Sequence, residues 1–108
     1  MSDNQSLKDI GQLKDQKDIK DIKDKKAEKL TSALYLITNF LSDNDPIKWK
    51  LREKALNLML AVDDQSLSYI NDLLKLIDVA LNDRYSSTMN FSILRQEYLG
   101  LQELIRAQ

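Results

Sequence analysis

Apolar residues return at steps of three and four in four separate stretches of this chain, the spacing that lines one face of an α-helix. In the first stretch Leu30, Leu34, Ile37 and Leu41 align, flanked by Ala33, Leu36 and Phe40, and predict a helix over about 26–42. It closes in Ser42-Asp43-Asn44-Asp45, a cluster of turn formers. The second opens at Asp45-Pro46. A residue before proline is pushed out of the α region, as an N-cap must be, and Pro46 at the first helical position forfeits no hydrogen bond. Its stripe is Ile47, Leu51, Ala55, Leu58 and Val62, and Asp63-Asp64 ends it and caps the next helix.

The third helix spans about 65–83 on Leu67, Ile70, Leu74, Ile77 and Leu81, and the polar segment 82–88 follows. In the fourth, Phe91, Leu94, Tyr98, Leu101 and Ile105 align. Asn90 is its expected N-cap, with Met89 and Leu94 set as a hydrophobic staple; Ser87 is the competing cap, a turn earlier. Helices of about 25 Å with short connections pack as antiparallel neighbours. The pattern therefore predicts an all-α, up-down-up-down four-helix bundle over residues 26–108.

Residues 1–25 read as a separate low-complexity zone. Lys8-Asp9-Ile10, Lys17-Asp18-Ile19 and Lys20-Asp21-Ile22 repeat one unit, yet Leu7, Ile10, Leu13, Ile19 and Ile22 scatter around a helical axis rather than forming a stripe. The zone is expected to be a disordered or marginally helical charged tail, with an N-terminal extension of the first helix as the variant reading.

Two helices carry a second apolar stripe. On helix 2, Trp49, Leu56 and Leu60 fall within about 20° of one another, away from the core stripe. On helix 3, Tyr69, Leu73, Leu76 and Ala80 cluster about 100° from the main one. Either the core is wide, or these faces are buried by another molecule. The second reading makes Trp49, Leu56, Leu60, Tyr69, Leu73 and Leu76 an interface for self-association, since tryptophan and tyrosine often anchor interfaces.

The chemistry is narrowed by what is missing. The 108 residues include no histidine and no cysteine, so the usual neutral-pH base, thiolate metal sites and disulfides are excluded. No Gly-rich phosphate loop or nucleophile elbow occurs. The acid pairs Asp43/Asp45, Asp63/Asp64 and Asp78/Asp83 sit where helix caps and polar faces explain them. Neither catalytic residues, nor a cofactor, nor a metal is expected. The polar start Met1-Ser2-Asp3-Asn4-Gln5 and the lack of a ~20-residue apolar run point to a cytoplasmic protein with no membrane partner.

The net charge of -1 gives no overall field for nucleic acid. The only local basic cluster is Lys48-Trp49-Lys50-Leu51-Arg52-Glu53-Lys54, where Lys48, Trp49 and Arg52 share a side. They could contact a phosphate backbone with a stacking aromatic, or rim a protein interface.

Three segments carry a resemblance over Lys29 to Ile105: Ala33-Leu34-Tyr35-Leu36, Asp43-Asn44-Asp45-Pro46-Ile47-Lys48-Trp49 and Met89-Asn90-Phe91-Ser92-Ile93-Leu94. The chain resembles small uncharacterised four-helix proteins of bacteria. More distantly it is similar to four-helix accessory proteins of diversity-generating retroelements and to intervening-sequence proteins of 23S ribosomal RNA, through Leu51-Arg52, Leu73-Leu76-Ala80 and Tyr98-Leu99. The resemblance implies a homo-oligomeric, non-enzymatic bundle that binds nucleic acid or a reverse transcriptase. Such accessory proteins are expected to be strongly basic, and this chain is not.

The expectation is thus a self-associating, non-enzymatic helical interaction module. The alternatives are a nucleic-acid-binding accessory protein using Lys48, Trp49 and Arg52, and an antitoxin-like monomer docking one protein partner.

Overall fold

The computed structural model of the protein describes residues 16–82 and 88–107. Four helices follow in order: α1 (Gln16–Thr38), α2 (Pro46–Leu60), α3 (Asp63–Asn82) and α4 (Thr88–Arg106). They form the expected up-down-up-down bundle. α1 packs on α2 and α4, and α3 packs on the same two from the other side. Among the described residues the diagonal pairs do not approach.

The stripes meet as their spacing requires. Leu34, Leu51, Ile70, Ile77, Phe91, Leu94, Tyr98 and Leu101 are fully or almost fully buried. Each seam between helices also carries a polar fastening. Arg52 of α2 reaches α1, Lys54 pairs with Asp72 across α2–α3 at 3.2 Å, Arg95 with Asp78 across α3–α4 at 2.7 Å, and Lys26 with Glu97 across α1–α4 at 3.6 Å. Gln102 adds a second α3–α4 bond, donating to Asn71 at 2.7 Å.

Several boundaries differ from the sequence expectation. α1 begins at Gln16 rather than 26, so residues 16–25 extend the first helix, the variant reading of the tail, and Lys23 within that stretch is buried. Lys23 lies 11 residues before Leu34, so its methylene stem falls on the core side although its head is polar. Residues 1–15 of the expected tail lie outside the described residues. α1 also stops at Thr38, four residues early; Leu41 still fills the core, but from the turn, where its N–H donates to the Thr38 carbonyl.

At α2 the expected cap is present: the Asp45 carboxylate accepts from the Ile47 N–H at 3.0 Å, with Pro46 opening the helix. Asn90 is not the cap of α4, which already starts at Thr88. Met89 stands in solvent, so the expected staple with Leu94 does not form. The competing Ser87 lies outside the described residues. No helix among them is long and apolar enough to cross a membrane.

Candidate functional site

The Lys48–Trp49–Arg52 cluster sits on the first turns of α2, beside the end of α1. Side chains of α2 reach the end of α1, where the Tyr35 carbonyl also accepts from the Asn39 N–H at 3.1 Å. Arg52 donates through Nη2 to the Tyr35 carbonyl at 3.0 Å and to Asn39 Oδ1 at 2.8 Å, and through Nε to the Thr38 hydroxyl at 2.9 Å. Its guanidinium lies over the rings of Tyr35 and Trp49, 4.4 and 5.4 Å from their centroids.

Lys48 is buried, with its ammonium on the Asp43 carboxylate at 2.6 Å and on the Leu41 carbonyl at 3.3 Å. The Lys48 ammonium holds the Asp43 carboxyl below the usual carboxylate range. The Trp49 indole N–H donates to the Asp43 carbonyl at 2.8 Å. The three residues therefore tie the α1–α2 corner together. Lys48 is buried, and Nε and Nη2 of Arg52 are engaged with the end of α1 and with Asn39.

The expected interface residues separate into three groups. Trp49, Leu56 and Leu60 are exposed on the outer side of α2. Tyr69 and Leu76 are half-buried against the core, with the Lys54 ammonium 5.8 Å from the Tyr69 ring centroid. Leu73 is fully buried and has no surface to offer another molecule. The reason is geometric: α3 packs against α2 on one side and α4 on the other, so its buried arc spans both stripes. Ala80, in the same second stripe, is fully buried too.

Further exposed apolar side chains lie where sequence reasoning placed the flank of the core. Leu36 of α1 is 68% exposed, Phe40 just after it 74%, and Met89 of α4 71%. The Lys26–Glu97 pair sets the α1–α4 register. From that pair, Ile93 and Met89 lie about 6 and 12 Å along α4, and Leu36 about 15 Å along antiparallel α1, at 1.5 Å per residue. Leu36, Ile93 and Met89 therefore lie toward the same end of the bundle, on α1 and α4. The signal was present in the sequence: Leu36 lies about 160° around the axis from Leu34, too far to share its core.

At the other end of that seam Ile22 and Leu30 floor a groove of about 410 Å³ walled by Lys25, Lys26, Lys29 and Glu97. A shallower one of about 240 Å³ lies between α2 and α3, lined by Lys50, Lys54, Asp72, Lys75 and Leu76. Among the described residues no group of three acidic side chains is placed to hold a metal ion. Asp43, Asp45 and Asp78 are each engaged by a lysine, a helix cap or an arginine. No family model, curated protein or solved structure matches the chain.

Proposed function

We propose that this protein is a non-enzymatic helical interaction module whose partner is a second copy of itself. The observation that supports the reading is the set of large apolar side chains left on the outside of a filled bundle: Leu36, Phe40 and Met89, with Leu60 at 77% exposure. Large apolar side chains left exposed on the outside of a domain often mark an interface. The α2 residues Trp49, Leu56 and Leu60 are exposed; of the α3 half of the expected interface Tyr69 and Leu76 are half-buried and Leu73 is fully buried.

Nucleic-acid binding through Lys48, Trp49 and Arg52 is the weaker reading. Phosphate contacts require exposed cationic donors, whereas the Lys48 ammonium is buried on Asp43 and the Leu41 carbonyl and Nε and Nη2 of Arg52 bond to Thr38, Tyr35 and Asn39. Absolute mass by light scattering across a concentration series tests the proposal. Twice the chain mass or more supports self-association. A monomer at every concentration overturns it and leaves the surface to a different protein.

A further inference from the structure

We infer that two copies pair through the outer face of α1, antiparallel, around a two-fold axis at Ser32; this rests on the self-association proposed above. A closed two-fold interface must be self-complementary, so whatever projects at one end must fit what is recessed at the other. The α1–α4 seam has this property. Its apolar projection, Leu36 and Phe40, centres on position 38, and its lysine-walled groove over Ile22 and Leu30 centres on position 26. Midway stands residue 32, an exposed serine followed by Ala33. Small side chains there let two α1 helices approach closely, and Leu36 and Phe40 of each copy then enter the groove of the other.

Charge agrees with the same arrangement. In a two-fold antiparallel pair, a flank of one helix meets the same flank of its copy with the direction reversed. On the flank of α1 that faces α2, Asp21, Asp24 and Glu28 fall 14, 11 and 7 residues before Tyr35, on its side of the helix. At the far end of that flank lies Arg52, whose hydrogen-bonding partners Tyr35, Thr38 and Asn39 are all neutral acceptors. Reversal about Ser32 brings the level of residues 24–28 opposite 36–40, which sets the acids of one copy against Arg52 and Trp49 of the other.

The chain lacks cysteine, so Ser32→Cys reports the axis directly. A disulfide across the two-fold requires the two Cα atoms within about 7 Å. Under mild oxidation Ser32→Cys should pass almost wholly to a linked dimer, while Ser68→Cys, exposed on α3, should stay unlinked. Phe40→Asp and Ser32→Arg, both at exposed positions, should halve the mass seen by light scattering with the helical circular dichroism unchanged, and Glu28→Lys should lower the dimer fraction. An oligomer that keeps its mass in Phe40→Asp and Ser32→Arg, or whose Ser32→Cys links no faster than Ser68→Cys, overturns this pairing and leaves self-association standing. A wild-type monomer sinks both.

Discussion

Arg52 shows how one side chain can resemble a ligand-binding residue and be a structural one. In sequence it is a cation beside a tryptophan; in the fold it donates to Thr38, the Tyr35 carbonyl and Asn39 around the end of α1 and stacks on two aromatic rings. Hydrogen bonds from a charged donor contribute more than neutral ones, so Arg52→Ala should cost about 1–3 kcal/mol in denaturant unfolding. Arg52→Lys should recover little of it, because an ammonium cannot reproduce the planar fork. Equal stability of Arg52→Ala and the exposed control Lys50→Ala would remove the clamp from the account. Tyr98 presents the opposite case. Its ring is fully buried and its hydroxyl lies beside Thr31, but the Thr31 hydroxyl is spent on the Ala27 carbonyl at 2.8 Å and no hydrogen bond of good geometry reaches the phenol. Burial pushes the Tyr98 hydroxyl up from its ordinary value. An acid whose folded pKa is raised favours the fold while protonated in both states. Above about pH 10 only the unfolded chain ionises, and stability falls with further rise. Tyr98→Phe should therefore be neutral or slightly stabilising at pH 7, and its advantage should widen above pH 10 in melts of the two proteins side by side. A large loss at pH 7 would mean the hydroxyl has a partner.

At the scale of the element, periodicity located all four helices and failed mainly at their ends. The start of α2 was legible because its signals are local: Asp45 and Pro46 need only their own backbone to act. The ends of α1 were not, since they depend on other helices. Its C-terminus is met by Arg52 and Lys48 arriving from α2, and its N-terminal ten residues include a buried lysine, Lys23, and two residues, Ile22 and Lys25, that share a groove with Glu97 of α4, which hydrophobic spacing cannot register. In α4, Gly100 sits well inside the helix, and a Cβ there would meet only the flexible tip of Lys26, at 3.4 Å. Glycine inside a helix carries an entropic cost relative to alanine. Gly100→Ala should raise stability by about 0.5–1 kcal/mol, read as a higher denaturation midpoint at unchanged slope. A lower midpoint would show that the Lys26–Glu97 pair depends on the gap.

At the scale of the molecule, the bundle was legible and the surface only partly so, because a helical wheel gives angles within one helix but not which arc its neighbours cover. Leu73 and Leu36 show this, one buried on a second stripe that the sequence left open as either core or interface, the other exposed beside the stripe it flanks. Only Trp49, Leu56 and Leu60 survive from the expected interface as outer residues. The ten residues from Gln16 to Lys25 decide the remaining question, whether α1 is one structural unit or a bundle helix with a dispensable tail. Ile22 and Lys25 line the α1–α4 groove, and the C-terminal turns of α4 place Leu101, Gln102 and Ile105 in the interior. Removing residues 1–25 shortens α1 by about 15 Å from Gln16 and uncovers that part of α4. Removing residues 1–15 leaves every described contact in place. The shorter deletion should melt with the full chain. The longer one should lose on the order of 2 kcal/mol, the cost of exposing about one large apolar side chain, and should lose any concentration dependence of its melting temperature, since a partner that binds only the folded state raises the midpoint with concentration. Identical melting of the two deletions would return residues 16–25 to the status of a tail.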